Sequence, residues 1–169
     1  MARNVEIKAY AGNWWEQQRL AAELADGPSE TIHQEDIFFI APHARLKLRI
    51  FSETHGHLIA YRRADQAGPK QSEYEISETD QPRTLERTLA MALPIFGKVI
   101  KTRYLFMVNR TRIHFDEVQD LGRFIELEVV LGENESTAAG EKEAQHLTDS
   151  LLIKRSDLIQ KAYIDLLHR

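Results

Sequence analysis

The stretch Asn4-Val5-Glu6-Ile7-Lys8 alternates polar and apolar side chains near the start of the chain. Successive side chains of a β-strand point to opposite faces of the sheet, so the two apolar residues share one face and the three polar residues share the other. The same period of two recurs in segment after segment of the sequence. This alternation predicts a fold built mainly from β-strands.

Alternating segments are separated by short stretches that contain proline, glycine or small polar residues. Short loops between them, such as Thr54-His55-Gly56, favour antiparallel hairpins. Eight antiparallel strands can close into a small barrel, which leaves no exposed edge. The eight predicted strands are roughly Arg3–Tyr10, His33–Ile40, Arg45–Ser52, His57–Ala64, Lys70–Ser77, Lys98–Met107, Thr111–Val118 and Arg123–Leu131.

Helical periodicity appears in four segments, which are Trp14–Leu24, Pro82–Leu93, Glu141–Leu152 and Ser156–Leu167. In the last segment the apolar residues fall on one helical face, and Ser156 is the predicted N-cap. We therefore predict an α+β fold: a closed eight-stranded antiparallel barrel with the helices packed outside. One domain is expected over residues 1–169, with the barrel core at about 3–132 and the C-terminal helices at about 140–168.

Composition excludes several classes of protein. The chain of 169 residues has no cysteine, which rules out disulfides, iron–sulfur clusters and thiolate zinc sites. It has no apolar run of the roughly 20 residues that cross a membrane and no apolar stretch of signal-peptide type at its start, so we expect a cytoplasmic protein without a membrane partner. The net charge of −4 argues against a broad nucleic-acid surface.

The charged faces of the strands segregate by sign, unlike the interspersed charges of an ordinary soluble surface. The third to sixth strands carry mainly cations, whereas the first and eighth carry carboxylates. These faces hold nine cations and five carboxylates, although the whole chain is negative. The cations are Lys8, Arg45, Lys47, Arg49, Arg63, Lys70, Lys101, Arg103 and Arg112; the carboxylates are Glu6, Asp36, Asp116, Glu126 and Glu128.

Two readings of these faces are open. On a plain barrel scaffold the charged faces would be solvated, since polar-out alternation is the norm for antiparallel strands. If instead the apolar faces pack outward under the helices, the charges point into the barrel and need compensation. A polyanion would compensate the cations, and a hard divalent ion such as Mg²⁺ or Mn²⁺ would compensate the carboxylates.

The ordered set of motifs resembles the CYTH family of triphosphate tunnel metalloenzymes, and most closely its class IV adenylyl cyclase-like branch. Asn4-Val5-Glu6-Ile7-Lys8 is similar to the family's N-terminal E-x-E-x-K signature, and the resemblance runs over about residues 3 to 132. The further matches are Gln34-x-Asp36-x-Phe38-Phe39, Arg45-Leu46-Lys47-Leu48-Arg49, Gln66-Ala67-Gly68-Pro69-Lys70, Lys101-x-Arg103, Arg112-Ile113-His114-x-Asp116 and Glu126-Leu127-Glu128.

The resemblance implies a tunnel in which basic residues hold a triphosphate and carboxylates hold Mg²⁺ or Mn²⁺. By position, Glu6, Glu126 and Glu128 are the metal-side residues, while Lys8, His114 and Asp116 are candidates for catalytic roles. Asp116 could be a ligand or an orienting partner, and a structural hydrogen-bonding role is equally open for His114. The phosphate-side candidates are Lys8, Arg45, Lys47, Arg49, Arg63, Lys70, Lys101, Arg103 and Arg112.

Two residues depart from the family pattern. Asn4 stands where the signature has its first glutamate, so one negative charge is lost beside the expected metal site. Phe38 stands where many members have a tyrosine, so any role of that hydroxyl is absent. The loss at Asn4 bears directly on how many metal ions the site holds.

The resemblance implies metal-dependent processing of a small-molecule triphosphate. One reaction is the conversion of ATP to cyclic AMP and pyrophosphate, and another is the hydrolysis of an organic or inorganic triphosphate. The alternative is a polyphosphate or nucleotide sensor that binds without turnover, which the substitution at Asn4 favours. Dimers are common among similar proteins, so a homodimer is an option by analogy alone.

Overall fold

The computed structural model describes residues 2–64, 66 and 68–168. The strands are β1 (Ala2–Tyr10), β2 (Glu30–Phe39), β3 (Arg45–Ser52), β4 (His55–Arg63), β5 (Lys70–Thr79), β6 (Ile95–Val108), β7 (Thr111–Val118) and β8 (Gly122–Val130). The α-helices are α1 (Trp14–Leu24), α2 (Pro82–Ala92), α3 (Thr137–Ser150) and α4 (Tyr163–Leu167), and a short 3-10 helix spans Arg155–Asp157. None of the described helices is long and apolar enough to cross a membrane.

The strands form a closed antiparallel barrel in the order β1-β5-β4-β3-β2-β6-β7-β8. Closure occurs where β8 pairs with β1, and this register sets Glu6 directly opposite Glu128 and Lys8 opposite Glu126. The predicted barrel is therefore confirmed. The largest differences in the strand starts are in β2 and β6, which begin at Glu30, already paired with Leu105, and at Ile95.

The apolar faces of the strands point outward and are covered by the helices. Val5, Ile113 and Leu127 belong to the largest apolar cluster, which packs under α1 and α3. A second cluster, around Ile37 and Leu48, packs under α2. Because apolar and charged residues alternate, this packing turns the charged faces of the strands into the barrel.

The predicted helix Ser156–Leu167 is wrong over its first half, and Ser156 caps no helix there. Leu158 and Ile159 instead run extended beside β1, where Ala9 bridges to Leu158 and the Ile159 N–H donates to the Lys8 carbonyl at 2.9 Å. The pairing of β1 with β5 ends at Glu6, which leaves the backbone of Lys8 and Ala9 free on that side. This unpaired backbone outweighs the local helical pattern, because buried backbone groups need partners.

Candidate active site

The barrel encloses a cavity of about 500 Å³. Its lining has seven cations and five carboxylates, so the segregated charges of the sequence do face inward. The reading of a plain scaffold with solvated charges is excluded by this placement. The charged lining residues are Lys8, Lys47, Arg49, Arg63, Lys101, Arg103 and Arg112 with Glu6, Glu30, Asp36, Glu126 and Glu128.

One end of the barrel is crossed by the C-terminal segment 158–167. Tyr163 of this segment is buried and lines the cavity. Its ring lies under two ammonium groups, with the Nζ of Lys8 at 4.1 Å and that of Lys101 at 5.0 Å from the ring centroid. Its hydroxyl donates to Asp116 at 2.9 Å. The segment therefore closes over the most basic part of the tunnel.

The other end of the cavity, where β1 begins, is lined by apolar side chains together with Glu30, His57 and Arg112. Because the strands are antiparallel, β2 and β4 also begin there, while β3, β5 and β6 end there. Ile76 and Met107 are 45% and 38% exposed, so this end opens to solvent. The apolar residues of this mouth are Ile32, Phe51, Ile76, Leu105 and Met107. Sequence reasoning missed them because they follow the charged residues on the same strand faces.

Two buried carboxylates hold arginines in fixed positions. Asp116 accepts two hydrogen bonds of 2.8 Å from Arg103, and Asp36 accepts two of 2.8 Å from Arg49. Burial alone would raise the pKa of Asp116, but Arg103 and then Lys101 outweigh it and hold the pKa well below the usual range. Asp116 is thus placed as an orienting partner of Arg103.

Three carboxylates, Glu6, Glu126 and Glu128, lie on facing positions of β1 and β8, as the paired register requires. Glu126 and Glu128 belong to a group of close ligand atoms, whereas Glu6 lies outside that group and its carboxylate is 3.7 Å from Arg63. Burial and the charges of the other two raise the pKa of Glu128 to about 7. Burial and then Glu126 also raise the pKa of Glu6. Burial opposes ionisation of Glu126 as well, but Lys8 and Arg103 outweigh it and lower the pKa of that group. Such a like-charged cluster is stabilised by a cation.

His114 lies across from Glu126 on β7, and the ligand atoms of His114, Glu126 and Glu128 all fall within 4.8 Å of one another. Burial, followed by the charge of Arg103, holds the pKa of His114 well below its usual value, so the ring is neutral. Asn4 Oδ1 and His114 Nδ1 are buried without a hydrogen-bond partner in the described part of the chain. The carboxylate oxygens and the imidazole nitrogen form a donor set that fits a divalent cation, and Asn4 lines the same cavity.

The guanidinium of Arg63 is buried but only partly compensated. Its Nη1 lies 3.7 Å from Glu6, while Nε and Nη2 have no hydrogen-bond partner among the residues described. Nearby Lys47 lies 3.5 Å from Asp36, and burial together with Arg49 lowers the pKa of Lys47 to about 8. Buried donors without acceptors are costly, so this side of the cavity is suited to an anionic ligand.

Two predicted phosphate-side residues lie outside the cavity lining. Arg45 forms an ion pair of 2.8 Å with Asp165 in α4. Lys70 is buried, and its ammonium donates to the backbone carbonyls of Gln160 at 2.8 Å and Gln66 at 3.3 Å. Both residues therefore hold the C-terminal segment in place. Ala67, within the motif that contains Lys70, lies outside the described residues.

A closed barrel with an inward basic surface and a facing carboxylate cluster defines a protein of the tunnel-barrel class. The family model of the CYTH domain matches residues 2–163. The chain therefore belongs to the CYTH domain family. No functionally curated protein matches it significantly in sequence.

Solved structures with the same fold come from archaea, bacteria and plants. The PH1012 protein of Pyrococcus horikoshii superimposes with a TM-score of 0.82 at 21% identity, covering 96% of this chain and 98% of that one. A candidate adenylate cyclase of Vibrio parahaemolyticus gives 0.76 at 16% identity, covering 98% of each chain. The candidate adenylyl cyclase HpAC1 of Hippeastrum, described as having a dominant triphosphatase activity, gives 0.67 at 14% identity, with 99% and 95% covered. At these identities the similarity shows the fold.

Proposed function

We propose that this protein is a metal-dependent enzyme that processes an organic triphosphate inside its barrel. The observation that carries the proposal is the buried guanidinium of Arg63, whose Nε and Nη2 have no acceptor in the described chain although the side chain lines the cavity. Phosphate oxygens are the acceptors that match an arginine fork. Lys8, Lys47 and Lys101 line the same space and add charge for a ligand with several phosphates.

The residues of the site divide into three roles. Arg63, Lys47 and Lys101 bind phosphate oxygens and offset their charge. Asp116 and Asp36 orient Arg103 and Arg49, so that these guanidinium groups need no rearrangement when the ligand binds. Glu6, Glu126, Glu128 and His114 would hold the divalent ion. When bound, that ion polarises a phosphoryl oxygen and orients the reacting group.

The two ends of the tunnel favour an organic substrate over inorganic tripolyphosphate. Tyr163 and its segment cross the basic end, so the ligand enters at the apolar mouth. The phosphates then extend towards Lys8 and Lys101, and the non-phosphate part of the substrate remains beside Phe51 and Met107. Apolar and aromatic side chains stabilise an organic group there but offer nothing to a phosphate.

Two reactions use such an arrangement. In cyclisation the ribose 3′-oxygen attacks the α-phosphorus of ATP and pyrophosphate leaves. In hydrolysis a water oxygen attacks the terminal phosphorus, the bond from that phosphorus to the bridging oxygen breaks, and the organic diphosphate leaves, so that the attacked group becomes inorganic phosphate. The names of the structural relatives in Vibrio and Hippeastrum refer to both kinds of activity. A sensor without turnover is the second candidate, and Asn4 favours it by removing a carboxylate from the metal side.

Product analysis tests the proposal. ATP, thiamine triphosphate and tripolyphosphate are incubated with the protein and with Mg²⁺ or Mn²⁺, and the products are identified by mass spectrometry. We expect turnover of an organic triphosphate at a higher kcat/KM than tripolyphosphate. Tight binding of all three without any product would establish the sensor instead.

A matched pair of variants tests the metal side. Glu126→Gln removes a charge from the buried cluster, and we expect kcat/KM to fall by about 100-fold or more, as for loss of one charge-stabilising group. Glu117→Gln on β7 is the control, because this side chain pairs with Arg123 and lies outside the cavity lining. Equal rates in the two variants would contradict the role given to Glu126.

A further inference from the structure

His114 stands at the metal side of the tunnel, on a strand that contributes no carboxylate to that cluster. It lies opposite Glu126 in the pairing of β7 with β8, and its Nε2 is 4.0 Å from Glu128 Oε2. One ligand atom each from His114, Glu126 and Glu128 fits within 4.8 Å. We propose that His114 is a direct ligand of the divalent ion, and that this nitrogen makes the site prefer a first-row transition ion such as Mn²⁺ over Mg²⁺.

The hydrogen bonding of the ring supports a ligand role over a structural one. A buried structural histidine ordinarily has both ring nitrogens satisfied, since unpaired buried polar atoms are rare. His114 is only 3% exposed and lines the cavity, yet its Nδ1 has no hydrogen-bond partner in the described residues. The described protein therefore does not satisfy both ring nitrogens, and Nε2 lies on the carboxylate side of the cavity, 4.0 Å from Glu128.

Asn4 explains why a nitrogen ligand matters in this chain. Its Oδ1 is also buried without a partner, on the strand that carries Glu6. A neutral amide at this position leaves fewer anionic oxygens for a hard ion. Imidazole offsets that loss for Mn²⁺, Co²⁺ or Zn²⁺, which accept nitrogen ligands, but much less for Mg²⁺, which is bound through oxygen. The inference rests on the metal-binding part of the proposed function.

Electron spin echo spectroscopy of bound Mn²⁺ tests the inference without any substrate. The protein is loaded with Mn²⁺ alone, and the modulation from a directly bound ¹⁴N nucleus is recorded. We expect nitrogen coupling in the unlabelled protein and its replacement by the ¹⁵N pattern when histidine is ¹⁵N-labelled. Labelling changes no side chain, so this result does not depend on a variant that folds. Bound Mn²⁺ without histidine coupling, or no binding of Mn²⁺, would overturn the inference.

Variants identify which histidine is responsible. In His114→Gln the coupling should disappear, and Mn²⁺ affinity should fall by at least about tenfold, as expected for a residue that holds a metal or its ligands. His57→Gln is the control, because His57 also lines the cavity but lies at its mouth beside Phe51. Coupling that survives in a folded His114→Gln protein would assign it to another residue and refute the proposal.

Competition and turnover separate this inference from the proposed function. Mg²⁺ should displace Mn²⁺ only at an excess of at least about tenfold in the wild type, and more easily in His114→Gln. Histidine coupling without turnover of any triphosphate would leave the ligand role intact and refute the enzymatic function. Turnover with Mg²⁺ as effective as Mn²⁺, and no histidine coupling, would refute the ligand role of His114 and leave the enzymatic function intact.

Discussion

Side chains in the tunnel differ in how far their charge is already compensated by neighbours. Arg103 and Arg49 each give two hydrogen bonds to one aspartate, so their positions are fixed before any ligand enters. Arg63 has two nitrogens unpaired among the described residues. Lys47 has an ion pair of 3.5 Å with Asp36 and contacts the Phe38 and Tyr61 rings. A ligand therefore gains more binding energy from Arg63 and Lys47 than from Arg103 and Arg49, whose hydrogen bonds to aspartate are already made.

Lys47 gives the first prediction, which concerns pH. Burial and then Arg49 lower its pKa to about 8, so the ammonium is mostly charged at pH 7 and mostly neutral at pH 9.5. An anion binds the charged form, so tripolyphosphate affinity should fall as pH rises through about 8. We expect a loss of about tenfold or more, which corresponds to one charged hydrogen bond. Isothermal titration calorimetry between pH 7 and pH 9.5 measures it.

Lys47→Arg is the matched control, because a guanidinium stays charged throughout this range. Its affinity should change less with pH than that of the wild type. Part of the dependence remains, because Lys8 and Lys101 also have lowered pKa values and Glu128, with a pKa of about 7, gains negative charge at the lower end of the range. Lys47→Met should bind weakly at both ends of the range. An identical pH profile in wild type and Lys47→Arg would show that another group titrates.

At the scale of secondary structure, the strands were predictable because each has an inward and an outward face with different chemistry. Val5 and Leu127 had to pack under helices, and this fixed the direction of Glu6 and Glu126 as well. The segment around Ile159 was not predictable, since its apolar spacing suits a helix. Its conformation depends on an unpaired edge of β1, which is a feature of the assembled barrel.

The same limit applies to the site. Alternation identified which residues face inward, and the family pattern indicated their chemistry, so the carboxylate cluster was foreseen. The alternation does not, however, predict how far along the tunnel each inward side chain lies. Lys70 lies on the inward face of β5 but reaches the carbonyl of Gln160 and not the cavity. Tyr163 was missed because a residue outside the strands has no inward face to predict.

Helix α3 provides a prediction about packing. Gly140 sits where a Cβ atom would lie 2.6 Å from Leu131 Cδ2 and 2.8 Å from Val5 Cγ2, both in the buried cluster outside the barrel. Alanine at an ordinary helical position gains about 1 kcal/mol over glycine. Overpacking a core costs about 1–3 kcal/mol. We therefore expect Gly140→Ala to lower the free energy of unfolding, as measured by urea denaturation.

The neighbouring exposed position supplies the comparison. Ala139→Gly changes propensity alone, since its side chain lies at the surface, and should cost about 1 kcal/mol. Combining Gly140→Ala with Val5→Ala should lose less than the sum of the single changes, because the smaller residue relieves the contact. If Gly140→Ala raised stability by the full propensity difference, α3 would lie further from β1 than described.

For the molecule as a whole, the charges in the tunnel lower the stability of the fold while they allow an anionic ligand to bind. Seven cations share one cavity, and the carboxylates among them are partly in conflict with one another. Like charges held together in a poorly solvated space raise the free energy of the folded state. A ligand that binds only the folded barrel removes this cost, so the ligand should stabilise the fold as well as occupy the site.

Tripolyphosphate without metal is the probe for this last prediction. At a concentration about 100 times its Kd it should stabilise the barrel by about 2.7 kcal/mol. For a chain of this size that corresponds to a rise in Tm of about 5–10 °C, which differential scanning fluorimetry resolves. Sodium chloride of equal ionic strength is the control for general screening, and Arg63→Met should show a smaller rise because it lacks the unpaired guanidinium. A rise no larger than that given by sodium chloride would mean that the inward cations do not form a polyphosphate site.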